Sequence, residues 1–184
     1  MKKMFNLKKM MLVFVCLLFF GGPVFAQPAS IELLTKYKPE LGTMKTVETH
    51  TKERTLSNGL IQKEVVTIIK HVYDKAFAEI PHKYTTVEIE NSFLKAGDRS
   101  VLAISKLEAN FRHTQSMNLA ECLSVSRGNV SNAKNYSFDT IVRRSNKTQE
   151  LGCASAKIEF KNIGITVQKN VYEINCDPDG NITY

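Results

Sequence analysis

The chain has 184 residues, 43% of them apolar and 23% charged, with a formal net charge of +7. That length fits one domain, two at most, and the composition excludes collagen, coiled coil and wholesale disorder. The excess charge is concentrated at the start: the first 26 residues hold four of the 19 lysines and no acid, and the other 158 carry 21 basic against 18 acidic side chains, a net of +3. A surplus that small gives no reason to expect nucleic acid or an anionic membrane as partner.

The N-terminal segment reads as an export signal. Lys2, Lys3, Lys8 and Lys9 precede the apolar run Met10–Phe20, which Gly21-Gly22-Pro23 interrupts before Val24-Phe25-Ala26. This is the three-part secretory pattern, with cleavage expected between Ala26 and Gln27. A membrane-spanning helix needs roughly 20 apolar residues, so the run is too short for a retained anchor. Cys16 lies inside it, with Leu17 to Phe20 continuing the run, and is an apolar passenger rather than a lipidation site. The expected organisation is a cleaved signal peptide at 1–26, a partly helical segment at 27–42 and a single α+β domain at 43–184. Within 27–42, Ser30 caps a short helix over Ile31–Tyr37 that Pro39 stops.

Thr43–Thr55 is rich in threonine and charge, with Val47 its one strongly apolar residue apart from Met44, and reads as an edge strand or an extended linker. Over Leu60–Ile80, the residues Ile61, Val65, Ile68, Val72, Ala76 and Ile80 recur at spacings of three and four, with Lys63, Thr67, Lys70 and Asp74 opposite. That pattern predicts one long amphipathic helix, stopped by Pro81. The β-branched run Val65 to Ile69 opposes it, and Asn58-Gly59 suits either a helix start or a hairpin turn.

Beyond Pro81 the pattern alternates. Tyr84–Phe93, Val101–Arg112 and Met117–Val125 read as strands, with a turn at Ala96–Arg99 and a polar loop over Arg127–Asn135. Phe138–Val142, Ala154–Phe160, Ile163–Val167 and Val171–Cys176 follow as strands, and Asp177-Pro178-Asp179-Gly180 is a tight turn returning Asn181–Tyr184 onto the preceding strand. One helix and five to seven strands predict an α+β fold, a long helix on a curved antiparallel sheet. The order of elements is similar to that of cystatin-like and NTF2-like architectures, a likeness of topology from which no function transfers.

Export would place the domain where disulfides persist. Cys122, Cys153 and Cys176 remain after cleavage, and the expected bridge is Cys153–Cys176, joining two late strands, with Cys122 buried, reactive or linking a homodimer. No phosphate-binding loop, dinucleotide fingerprint, nucleophile elbow or HExxH motif is present. His50, His71, His82 and His113 are scattered singly, with no metal-ligand spacing. The stretch Asn175–Tyr184 matches a calcium loop at its first positions but ends before the twelfth-position glutamate. Four N-glycosylation acceptors, at Asn129, Asn135, Asn146 and Asn181, matter only in a eukaryotic host. Arg143-Arg144 with Lys147 forms a small basic cluster. The expected function is therefore a periplasmic or secreted non-catalytic module that binds an envelope or extracellular macromolecule, or a small ligand. It needs no cofactor, binds no nucleic acid and has no membrane span after cleavage. The alternative is a small exported hydrolase or transferase built on Cys122, a histidine and an acid.

Overall fold

The computed structural model describes residues 44–72 and 83–184. The expected cleavage site at Ala26 and Gln27, the Ile31–Tyr37 helix, Cys16 and His82 lie outside the described residues. Nine antiparallel strands run in chain order: β1 (Met44–Thr55), β2 (Ile61–Val72), β3 (Lys83–Leu94), β4 (Val101–Thr114), β5 (Leu119–Ser131), β6 (Tyr136–Thr148), β7 (Leu151–Asn162), β8 (Ile165–Cys176) and β9 (Ile182–Thr183). Sequence neighbours pair everywhere except between β5 and β6, giving a five-stranded sheet β1-β2-β3-β4-β5 and a four-stranded sheet β6-β7-β8-β9. The two pack inner face to inner face.

This overturns the expected α+β fold, its long helix and its likeness to cystatin-like and NTF2-like architectures. Among the described residues the one helical element is the 3-10 turn Gln115–Met117. Beyond Leu60, the described part of Leu60–Ile80 is β2, paired along its whole length with β1 and from Ile61 to His71 with β3; the rest lies outside the described residues. The β-branched run Val65 to Ile69 decides the matter, because such side chains lose freedom in a helix and fit a pleated surface. Asn58-Gly59 accordingly turns a hairpin, with Gly59 at φ +79° and the Leu60 N–H bonded to Asn58 Oδ1 at 3.2 Å.

β1 is the predicted edge strand, and every residue from Thr46 to Thr55 is exposed. β8 runs unbroken from Ile165, with Ile163 and Gly164 forming the turn before it. The polar stretch from Arg127 is no loop until Asn132, since β5 pairs with β4 as far as Ser131. Within β5, Phe111 faces Cys122 while Asn110 faces Ser124, so Leu123 is an extra residue. This bulge reverses the alternation: Ala120, Cys122 and Val125 turn inward, so the strict period-two alternation expected of Met117–Val125 does not hold. The carbonyl of Leu123 accepts a hydrogen bond from Arg144 Nη1 at 2.6 Å, so the basic pair on β6 helps tie the two sheets.

Two apolar clusters fill the interior. The larger contains Val66, Ile68, Val87, Ile89, Leu107, Phe111, Cys122, Ile158, Ile174 and Cys176. The smaller centres on Phe93 of one sheet stacked on Phe160 of the other, with ring centroids 3.9 Å apart. Fully burying side chains of this size contributes roughly 1.5–3 kcal/mol each.

The sheets approach closely at the start of β7. A Cβ on Gly152 would lie 2.6 Å from the Glu121 carbonyl carbon and 2.8 Å from the Cys122 nitrogen, both backbone atoms of β5. The Cys122 N–H bonds instead to Asn146 Oδ1 at 2.8 Å, and the Ala120 N–H to the Gln149 carbonyl at 2.9 Å. Gly152→Ala is therefore expected to destabilise the fold by about 1–3 kcal/mol, the usual cost of overpacking. Gly128→Ala is the control, because a Cβ there meets nothing within 4 Å. Urea unfolding of both variants checks this; equal midpoints would show that the sheets separate freely at Gly152.

Candidate functional site

The inner face is not uniformly apolar. Register aligns Lys52, Glu64, Asn91, Ser105 and Asn129 in one row across all five strands of the larger sheet. Opposite them on the smaller sheet run Thr140, Ile158 and Asn170. This polar row passes between the two apolar clusters, and the hydrogen bonds that satisfy it cross from sheet to sheet.

Asn91 is the hub, with no solvent exposure. Its Oδ1 accepts from Gln62 Nε2 at 2.5 Å and from Asn170 Nδ2 at 3.3 Å. Its Nδ2 donates to the Tyr172 hydroxyl at 2.9 Å. The Tyr172 hydroxyl in turn donates to Glu64 Oε2 at 2.5 Å. Burial, reinforced by that carboxylate, pushes the Tyr172 hydroxyl well above its ordinary pKa. Arg54 closes the system from the edge strand: its Nε and Nη2 donate to Gln62 Oε1 at 3.0 and 2.8 Å, and Nη2 also reaches Asn170 Oδ1 at 2.9 Å. Gln168 Nε2 bonds to the same Asn170 oxygen at 2.9 Å. At the far end Asn129 Nδ2 donates to Thr140 Oγ1 at 3.1 Å. Ser105 Oγ, fully buried in the middle of the row, has no hydrogen-bond partner among the described residues.

The row reaches solvent at both its ends, Lys52 and Asn129 being exposed, and at the β1 end it opens into a cleft. Lys52, Glu53, Arg54, Gln62 and Glu64 line an open cleft of about 450 Å³, within the range that small ligands occupy. Its floor is amide and carboxylate; its rim carries two cations. Glu53 is held by Arg99 of the β3–β4 turn, Nη2 to Oε2 at 2.7 Å and Nη1 to Oε1 at 3.1 Å. Lys52 forms no ion pair or hydrogen bond among the described residues. Neither Arg54 nor its partners stood out in the sequence. The signal was present as a defect: Gln62 and Glu64 spoil the inner face of β2, and Asn91 that of β3.

The cysteines are placed otherwise than expected. All three are buried free thiols, and the Cys153–Cys176 bridge is not formed. Cys176 stands opposite Gly152, while Cys153 stands opposite Asn175. The two cysteines are therefore one step out of register, and their side chains leave opposite faces of the sheet. Cys122 is 1% exposed. Burial pushes its thiol up to about 11 and that of Cys176 up to about 12, the reverse of what a thiolate nucleophile requires.

The described histidines are dispersed. His50 lies on β1, its ring 6.4 Å from that of Tyr184. His71 is buried, with Nε2 3.3 Å from Thr86 Oγ1. His113 is buried at the opposite end of the interior from the cleft, Nε2 lying 3.0 Å from Thr85 Oγ1 and Nδ1 3.4 Å from the Pro178 carbonyl. Gly180 presses on its ring, and a Cβ there would lie 2.3 Å from Cε1. The Asp177–Gly180 segment is thus the predicted turn, with Asp177 carboxylate oxygens bonded to the Asn181 N–H and Nδ2, both at 2.8 Å. Among the described residues no group of three His, Cys, Asp or Glu side chains is placed to hold a metal ion, and no helix is long and apolar enough to cross a membrane. Searches against protein-family models, curated proteins and solved structures each return no match.

The hub sets one expectation. Asn91→Ala leaves Gln62, Asn170 and Tyr172 each short of a partner and should cost about 3 kcal/mol, whereas Tyr172→Phe should cost about 1 kcal/mol. The double variant should cost less than the sum, because both deletions act on one network. A double-mutant cycle in guanidinium measures the coupling, and strict additivity would dissolve the network into independent bonds.

A second expectation concerns pH. Burial lowers the His113 pKa, and Lys83 and Lys70 add to the effect against the Pro178 carbonyl and Asp177. Above the ordinary histidine value of about 6.5, folded and unfolded chains are both neutral at this position. Below it the unfolded chain takes a proton that the folded chain refuses, so stability falls as pH drops from 7 towards 5. His113→Gln should flatten that slope, as read by thermal melts in a pH series.

Proposed function

We propose that this chain is an exported, non-catalytic binding module that takes a polar, carboxylate-bearing ligand in the cleft between β1 and β2. The observation carrying the reading is the buried amide and carboxylate network that emerges at a cationic rim. Arg54 is held in place by Gln62 and Asn170, so its guanidinium is oriented before any ligand arrives, which lowers the entropic cost of binding. Arg54 Nη1 is the donor the network leaves unused, and guanidinium geometry suits a carboxylate. Glu64 Oε1, which no hydrogen bond among the described residues engages, offers an acceptor for hydroxyl groups. A sugar acid meets both demands, as a free molecule or as the terminal unit of an envelope or extracellular glycan. Export rests on the N-terminal lysines, the short apolar run and the small residues before Gln27.

The Cys/His alternative has less in its favour, since the Cys122 thiol donates to the Ser124 carbonyl at 3.5 Å and sits in an apolar cluster. The test is an NMR titration with glucuronate, following the side-chain N–H signals of Arg54 and Gln62, with glucose as the neutral comparison. Glucuronate should shift these signals saturably and more strongly than glucose, and Arg54→Gln should weaken the response about tenfold or more, in line with losing a charge-assisted hydrogen bond. A flat titration with both sugars would overturn the reading.

A further inference from the structure

β1 is the edge of the larger sheet among the described residues, exposed from Thr46 to Thr55. Alternate residues of β1 turn their backbone donors and acceptors away from β2, and that free row is a template for another strand. Proteins commonly blunt such an edge with charges that repel a second copy. The charges on β1 do the opposite. Along one face run Glu48, His50, Lys52 and Arg54, and Glu48 and Lys52 are placed symmetrically about His50.

From this symmetry we infer that two copies of the chain pair antiparallel through β1, around a two-fold axis normal to the sheet and midway between the two facing His50 residues. Residues opposite one another in an antiparallel pair share a face, and a two-fold operator makes every contact twice. Centred on His50, Glu48 of each copy faces Lys52 of the other, and Thr49 faces Thr51. The home contacts select this register. Centring on Thr49 would set Lys45 against Glu53, but Glu53 is already held by Arg99. Centring on Thr51 would set Glu48 against Arg54, which is already engaged by Gln62 and Asn170. Glu48 and Lys52 are the pair left without an ion pair or hydrogen bond among the described residues. Joining two edges makes one continuous ten-stranded sheet, and the two clefts then open on its same side. The buried thiols need take no part in the assembly.

Sedimentation velocity of protein expressed from the full-length sequence tests this, from about 1 to 100 µM, a range that spans modest affinities. The wild type should dimerise. Glu48→Lys and Lys52→Glu each set like charges opposite one another twice, and each should raise the dissociation constant about tenfold or more. Mixing the two variants in equal amounts should restore the dimer as a heterodimer, and so should both changes in one chain. Unchanged far-UV circular dichroism shows that the variants fold. A wild type that stays monomeric to about 100 µM, or single variants that dimerise as well as it does, would overturn the inference.

Discussion

A buried amide cannot be left unsatisfied without a penalty of about 1–3 kcal/mol per group, and in this protein that constraint is concentrated on Asn91. Its partners come from β2 and β8, on different sheets. Apolar contacts alone tolerate sliding and repacking; a hydrogen-bonded Asn, Gln, Asn and Tyr do not. The network therefore fixes how the sheets face each other, while the two apolar clusters on either side supply most of the burial. The same network, followed outward through Gln62 and Arg54, becomes the floor and rim of the cleft. The bonds that join the sheets and the bonds that line the cleft are one continuous set.

The opposite end of the interior is organised by close backbone approach. Gly152 admits the β5 backbone, Asn146 bonds to the Cys122 N–H, and the bulge at Leu123 offers its carbonyl to Arg144. These contacts hold β5 and β7 where a side chain at residue 152 would force them apart. His113 and Gly180 repeat the device with an imidazole in place of a backbone. The chain thus has one end secured by packing with almost no spare room and another that is polar and open.

The long helix expected over Leu60–Ile80 fails for a reason that can be named. A strand with one apolar and one polar face announces itself by strict alternation. In β2 the inner face carries Gln62 and Glu64 before Val66 and Ile68, because the polar row crosses it there. The outer face carries Lys63, Val65, Thr67 and Ile69, all half-buried. Neither face reads cleanly at period two, and Ile61, Val65 and Ile68 then fall by coincidence at helical spacing. The residues that build the candidate site are the ones that concealed the strand.

Local chemistry made several features legible in the sequence alone: the edge strand with its charges, the Asp177–Gly180 turn and the strands after Pro81. Each depends on neighbours within a few residues. What only the tertiary structure decided depends on pairing across the chain. The register of β7 with β8 sends Cys153 and Cys176 to opposite faces, and one extra residue in β5 reverses its alternation. Arg54, Gln62, Asn91 and Asn170 become neighbours though up to 116 positions separate them. Side-chain period in a strand is two, so a single step of register changes which residues meet, and no local pattern records that step.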